Sequence, residues 1–163
     1  MPQRILGIDI GSKTSRTAFA LVIDTWIESI NDLLPQTSKE SFNTYLNRLY
    51  TTTLVTIKNT KPDFVVIEEA FLQGKANKRF NRAMGVIQLA IGDIPILFLA
   101  PLSIKKLVTG TGKATKQEVA VALKTLFKGE LLPSLIREEL WDSIDAIATS
   151  VAGRVRLTNE KST

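Results

Sequence analysis

The sequence predicts an α/β protein with a mixed central sheet flanked by helices. Two apolar runs near the start, residues 4–11 (RILGIDIG) and 17–23 (TAFALVI), are separated by a short polar turn, which favours antiparallel pairing. A helical segment then precedes an apolar run at residues 64–67, and a strand after a helical connection is most simply parallel to the first strand. Residues 1–157 of the 163-residue chain are predicted to form one domain, and residues 158–163 a flexible tail.

The other elements of the first half follow from hydrophobic spacing. Residues 26–30 predict a short third strand, and residues 40–59 predict a helix because apolar side chains recur there at helical spacing. An apolar helix around Gly85 comes next. A glycine inside a helix costs about 1 kcal/mol relative to alanine, so Gly85 is expected at a close helix contact. Residues 94–99 predict another strand.

The second half of the chain is predicted to be mostly helical. A brief helix is expected from Ser103, and Thr115 with Glu118 fits a capping box at the start of the next helix. The last helix is predicted to cover at least residues 139–153. It contains small residues that would let another element approach closely, namely Ala146, Ala148 and Ala152.

The composition excludes several kinds of active site. The chain has no cysteine and no histidine. Disulfides, thiolate metal sites, zinc–histidine sites and serine–histidine triads are therefore excluded, and acid–base or metal chemistry must come mainly from carboxylates, lysines, tyrosines or bound water. No apolar run reaches the roughly 18 residues of a membrane span, and the N-terminal residues lack the pattern of a signal peptide, so no membrane association is expected.

The charge distribution suits a polyanionic partner. The formal net charge is +5, which fits nucleic-acid binding and equally fits an ordinary solvated surface. Residues 71–80 (FLQGKANKRF) contain no acid, and a flexible basic loop follows at residues 109–114. These segments either hold a DNA backbone or form solvated faces. Their cations, with the arginine that follows the first segment, are Lys75, Lys78, Arg79, Arg82 and Lys113.

Two carboxylates are predicted at the same edge of the sheet. Asp9 ends the first apolar run, and Glu68 directly follows the run at residues 64–67. Parallel strands would bring both to one edge, where α/β sheets usually place their sites. Glu69 should point to the other side of the strand, so we expect it to be structural. Alternatively, Asp9 and Glu68 are unrelated strand-end acids.

Two further acids lie on the last helix. Asp142 and Asp145 are three residues apart and are therefore neighbours on one face, roughly opposite an apolar stripe. They form either a solvated face or, with Asp9 and Glu68, a cluster. Two unit charges 4 Å apart repel by about 4 kcal/mol at an effective dielectric constant of 20, so a cluster would need bound cations or protons. An oxygen-only cluster suits Mg²⁺ or Mn²⁺, and a pair of such ions can assist phosphodiester cleavage.

Four segments resemble one known family in their order and spacing. They are RILGIDIG, KPDFVVIEEAF, GTGKATKQEV and WDSIDAIA, and the likeness to RuvC-type Holliday junction resolvases covers about residues 4–153. The resemblance implies a ribonuclease H-like fold and a homodimeric, Mg²⁺-dependent endonuclease that nicks four-way DNA junctions symmetrically. It also implies action in the cytoplasm of a bacterial or phage-infected cell, or in an organelle, with branch-migration motor proteins as further partners.

The resemblance assigns roles by position. It makes Asp9, Glu68, Asp142 and Asp145 the catalytic, metal-binding acids, with two Mg²⁺ ions expected and Mn²⁺ as a substitute. Lys105 and Lys116 match family lysines beside the DNA, and Phe71 matches a phenylalanine that inserts at the junction centre. Lys75, Lys78, Arg79 and Lys113 are added as DNA-binding candidates.

The chain departs from the family pattern at several places. Ile10 stands where the family usually has proline, and Ala18 and Phe19 lie in a region usually richer in glycine. Some members have a histidine near the last acid, which this chain lacks. Residues 24–60 show little likeness to the family.

Other functions stay open at this point. One is a different ribonuclease H-like nuclease that acts on RNA–DNA hybrids or other branched DNA. Another is a catalytically idle junction-binding module, although binding alone would gain from losing the four acids. An actin-like sugar kinase also begins with Asp-x-Gly, but two nucleotide-binding lobes need a far longer chain.

Overall fold

The computed structural model describes residues 2–69, 74–127 and 141–160 of the chain. Its ten helices and strands in this part follow one another in the predicted order. In chain order they are β1 (Arg4–Asp9), β2 (Thr17–Ile23), β3 (Trp26–Leu33), α1 (Phe42–Thr60), β4 (Phe64–Glu68), α2 (Gly74–Ile91), β5 (Ile96–Leu99), α3 (Pro101–Thr109), α4 (Lys116–Leu126) and α5 (Trp141–Glu160).

The five strands form one mixed sheet in the order β3-β2-β1-β4-β5. Strand β1 pairs antiparallel with β2 and parallel with β4, and β4 pairs parallel with β5. The predicted α/β class and mixed sheet are thus confirmed. In the described part of the chain, no helix is long and apolar enough to cross a membrane.

Several element boundaries differ from the prediction for local reasons. Helix α1 begins at Phe42 rather than at residue 40, because the Ser41 side chain accepts a hydrogen bond from the Thr44 N–H and caps the helix. Strand β5 begins at Ile96, because Pro95 accepts a bond from Val65 but has no N–H to donate.

Three elements are longer than predicted. Strand β3 extends through Leu33 along β2. Helix α3 begins at Pro101 rather than at Ser103, since proline suits the first turn of a helix. Helix α5 continues to Glu160, where Arg156 and Glu160 form an ion pair one turn apart. The helix thus includes residues 158–160, and the flexibility predicted for residues 158–163 stays a prediction.

The two faces of the sheet have separate cores. On one face, Ile5 and Val66 pack against α3, α4 and α5. On the other face, Leu6 and Ile8 pack against α1 and α2. Neighbouring residues of a strand point to opposite faces, so the odd-numbered positions of β1 face α5. This alternation decides where the strand-end acids lie.

Glycine at position 7 lets α5 lie directly on β1. A Cβ atom at Gly7 would be 2.2 Å from the Ala146 carbonyl oxygen and 2.5 Å from the Ser150 nitrogen. The Ser150 hydroxyl donates a 2.7 Å hydrogen bond to the Ile5 carbonyl oxygen. The close approach predicted from the alanines of the last helix is therefore confirmed. The prediction for Gly85 is wrong, because a Cβ atom there would meet nothing within 4 Å.

We predict opposite effects of the same substitution at two glycines. Gly7→Ala should lower the free energy of unfolding by more than about 2 kcal/mol, because backbone atoms of α5 occupy the space of the new methyl group. Gly85→Ala, the matched control, should raise it by about 0.5–1 kcal/mol through helix propensity. Urea denaturation measures both. Equal effects of the two substitutions would contradict the described contact between β1 and α5.

Candidate active site

A cleft of about 690 Å³ opens where β1 and β4 end beside the first turn of α5. It is lined by all four predicted acids together with cationic and aromatic residues. The lining residues used below are Asp9, Glu68, Asp142, Asp145, Lys13, Tyr45, Arg79 and Lys116.

The alternation of the strands places the acids in the cleft. Asp9 follows Ile5 and Gly7 on the face of β1 that contacts α5. Glu68 follows Val66, which faces the same helix. Because β1 and β4 are parallel and in register, both carboxylates emerge at one edge. Helix α5 then contributes Asp142 and Asp145 from its first turns.

The acids interact electrostatically, and burial strengthens the effect. Burial raises the pKa of Asp9 well above its usual range, and the negative charges of Asp145, Glu68 and Asp142 raise it further, in that order. Burial and then the charge of Asp145 raise the pKa of Glu68. Burial also raises the pKa of Asp145, against the opposing effect of Lys116. Asp9, Glu68 and Asp145 therefore each keep a proton to a higher pH than an isolated carboxyl group does.

Lys116 lies against the cluster from the start of α4. Thr115 and Glu118 form the predicted capping box, which fixes Lys116 in the first turn. The Lys116 ammonium donates a 2.6 Å hydrogen bond to Asp145 Oδ2. Burial lowers the pKa of Lys116, but this bond and the nearby carboxylates raise it more, so the net direction is upward. The lysine therefore stays cationic beside the acids.

A backbone donor holds another acid of the cluster. The Arg16 N–H donates a 2.9 Å hydrogen bond to Asp142 Oδ2, and the Arg16 guanidinium forms a 2.5 Å ion pair with Asp32 on β3. The turn between β1 and β2 is thus attached both to the sheet and to α5.

The oxygen donors suit a hard divalent ion, but no three of the four described carboxylates converge on one point. Four carboxylates without sulfur or imidazole are typical ligands of Mg²⁺ or Mn²⁺. Among the residues that the structure describes, no three acids converge closely enough to hold one ion as they stand. Lys116 donates to Oδ2 of Asp145, so an ion that bound this oxygen would compete with Lys116 for it.

The predicted DNA-binding residues are distributed unevenly around the cleft. Arg79 and Lys116 line it. Lys105 is near enough for its positive charge to oppose part of the rise in the pKa of Glu68 and Asp145. Lys78 and Lys113 are exposed on the surface. Phe71 and the side chain of Lys75 lie outside the described residues.

Some residues beside the acids had no predicted role. Lys13 lines the cleft, and the basic turn at residues 12–16 was a signal that could have suggested it. Tyr45 is buried, and its hydroxyl lies 3.4 Å from the Thr17 hydroxyl. No local pattern indicates this contact, because α1 and β2 meet only in the fold. Glu69 is exposed, and its N–H bonds to the Leu99 carbonyl.

Sequence comparison identifies relatives along most of the chain. The family model for "Crossover junction endodeoxyribonuclease RuvC" matches residues 5–152. A protein of that name from Desulforamulus reducens is 30% identical over 152 residues, which is 90% of each chain. Another from Chlamydia abortus is 27% identical over 153 residues, covering 90% of this chain and 91% of the relative.

Solved structures share the fold. The RuvC structure of Thermus thermophilus has a TM-score of 0.80 and 18% identity, with 97% of both chains covered. The T. thermophilus RuvC in complex with a Holliday junction substrate has a TM-score of 0.78 and 16% identity, with 96% of both chains covered. These likenesses confirm the predicted ribonuclease H-like fold. The family match over nearly the whole chain establishes that this protein belongs to the RuvC family of crossover junction endodeoxyribonucleases.

Proposed function

We propose that this protein resolves four-way DNA junctions by cutting phosphodiester bonds of two strands. The observation that supports this most directly is the meeting of four carboxylates in one cleft with cationic residues around it. Family membership supports the choice of a DNA junction as the substrate. The same cluster argues against an idle binding module, because uncompensated carboxylates repel the phosphates that such a module would bind.

The cluster fits a pair of Mg²⁺ ions, for which Mn²⁺ could substitute. Asp9, Glu68, Asp142 and Asp145 would hold them, with Asp9 central because its pKa responds to all three other acids. Bound in this way, such ions supply activation of water and stabilisation of the leaving oxygen in phosphodiester cleavage.

The chain's own residues would bind and orient the DNA backbone. Lys116, once released from Asp145, has its ammonium within the cleft and is free to contact a phosphate oxygen. Lys105 on α3 adds a second positive charge on the same side. The Arg16 N–H keeps Asp142 oriented. Phe71 remains our candidate for insertion at the junction centre, and Lys75, Lys78 and Lys113 for outer backbone contacts.

The proposed reaction is symmetric, and symmetry needs two copies of the site. We propose a homodimer with a two-fold axis, which would place two equivalent clefts on opposite strands of a junction. We also propose that it acts in the cytoplasm, alongside a branch-migration motor, since the relatives named above come from bacteria.

Junction cleavage should depend on Asp9. With Mg²⁺, the protein should make paired symmetric nicks in a mobile four-way junction and leave a linear duplex intact. EDTA or Asp9→Asn should abolish cutting, while Asp9→Asn should keep junction binding because it removes a negative charge. Gel assays of cleavage and binding test this. Preferential cutting of an RNA–DNA hybrid would overturn the proposed substrate. Tight junction binding without cutting, with Mg²⁺ or with Mn²⁺, would overturn the proposed nuclease activity.

Stability without metal should fall as the pH rises. The folded protein has a raised pKa at Asp9, so between the ordinary and the folded pKa it holds a proton that the unfolded chain has lost. The free energy of unfolding therefore decreases with rising pH through this window. Asp9→Asn should flatten the decrease, and Mg²⁺ should stabilise the unsubstituted protein more than the variant.

Denaturation in EDTA between about pH 4 and about pH 8 measures this dependence. A large loss of stability in Asp9→Asn at neutral pH would mean that Asp9 supports the fold. An identical pH dependence of the two proteins would mean that burial does not perturb Asp9.

A further inference from the structure

Arg79 is a partly buried cation that lines the cleft and contacts aromatic rings. Its guanidinium carbon lies 4.2 Å from the ring centre of Phe42 and 5.4 Å from that of Tyr45. Its Nη2 atom is buried and has no hydrogen-bond partner. Within residues 2–69, 74–127 and 141–160, no acid forms an ion pair with it.

A buried donor without an acceptor indicates a position where a ligand could bind. Buried polar groups in folded proteins are nearly always hydrogen-bonded, and an exception often marks a functional group. The contact with two aromatic rings offsets part of the cost of burying the Nη2 end of the side chain, for which the described residues supply no acceptor. An arginine held in this way can offer a planar fork that matches two oxygens of a phosphate.

The surroundings hold the guanidinium in place. The rings of Phe42 and Tyr45 are 6.1 Å apart and nearly parallel, at 16°. Tyr45 is buried, and its hydroxyl lies beside that of Thr17 on β2. Both aromatic residues belong to α1. This helix therefore contributes to the cleft through Tyr45 itself and through the ring contacts with Arg79.

Arg79 enters the cleft from the opposite layer to the lysines. Lys105 and Lys116 come from α3 and α4, which cover one face of the sheet, while Arg79 comes from α2 on the other face. Both Arg79 and Lys116 line the cleft that holds the four carboxylates. Lys116 is paired with Asp145 in this structure, whereas the guanidinium of Arg79 faces aromatic rings.

We propose that Arg79 binds a backbone phosphate of the DNA strand that enters the cleft, and that Phe42 and Tyr45 fix the guanidinium for this contact. The strand is then held from both sides, by lysines from one helical layer and by Arg79 from the other. This inference rests on the proposed function, since it assigns part of the same substrate to a named residue.

The competing explanation is structural. In that case Arg79 covers the aromatic end of the core between the sheet, α1 and α2, and its replacement lowers thermal stability without a specific effect on DNA. The two explanations differ in the salt dependence of binding, because each phosphate contact contributes about one unit to the slope of log K against log salt.

The test measures junction binding in protein carrying Asp9→Asn, in EDTA, over a range of salt concentrations. Arg79→Gln should weaken binding about tenfold and reduce the salt slope by about one. Arg82→Gln is the matched control, since it removes the same charge from an exposed position of the same helix. It should weaken binding less than about threefold, because exposed charges are screened by salt. Equal losses in the two variants, or an unchanged slope in Arg79→Gln, would overturn the proposal.

One further variant keeps the test valid if Arg79→Gln unfolds, and a second tests the aromatic contact if Arg79→Gln folds. Arg79→Lys retains the charge but not the fork, and should still weaken binding several-fold. Phe42→Leu should weaken binding when Arg79 is present and have no further effect together with Arg79→Gln. Additive losses of binding affinity would mean that the Phe42 ring does not act through Arg79. That result would overturn the proposal that the ring fixes the guanidinium.

A metal-binding measurement separates this inference from the function on which it rests. Mn²⁺ titration of Arg79→Gln with Asp9 intact should give the affinity of the unsubstituted protein, since Arg79 contacts no acid of the cluster. A weaker Mn²⁺ affinity would mean that Arg79 instead helps to position the carboxylates of the cluster. If the unsubstituted protein neither binds nor cuts junctions, the proposed function fails. If it does both and Arg79→Gln matches it, only this inference fails.

Discussion

The mutual repulsion of four carboxylates in one partly buried cleft is the constraint on which the site depends. The parallel pairing of β1 and β4 brings Asp9 and Glu68 together, and the start of α5 adds two more acids. Burial and like charge both raise the pKa of Asp9, so a folded chain without cations tends to retain protons there. A fold that tolerates this repulsion at the edge of its sheet is suited to binding divalent ions, and Lys116 supplies a positive charge at Asp145.

The rest of the fold keeps the acids from separating. Helix α5 lies directly on β1 because residue 7 has no side chain, and the Ser150 hydroxyl fastens the two elements together. The turn after β1 is held through Arg16, whose side chain pairs with Asp32 and whose N–H donates to Asp142. Repulsion within the cluster therefore acts against a close-packed interface, and it is relieved by protons and cations rather than by movement of the elements.

Local patterns in the sequence were sufficient to predict much of this arrangement. The short turn after β1 indicated antiparallel pairing, the helical connection before β4 indicated parallel pairing, and Thr115 with Glu118 indicated the cap beside Lys116. Contacts between distant elements were not predictable in the same way. The close packing occurs at Gly7 rather than at Gly85, and the stacking of Arg79 on Phe42 joins α2 to α1. No periodicity or motif encodes such pairs, because they depend on how α1 and α2 pack across the sheet.

The most direct test of the central claim is anomalous X-ray diffraction from crystals of the protein soaked in Mn²⁺. The account predicts ion density within about 2.0–2.6 Å of carboxylate oxygens of Asp9, shared with other acids of the cluster, and a Lys116 ammonium that has left Asp145. Ion density elsewhere on the chain, or an intact contact between Lys116 and Asp145 with no ion at Asp9, would contradict it.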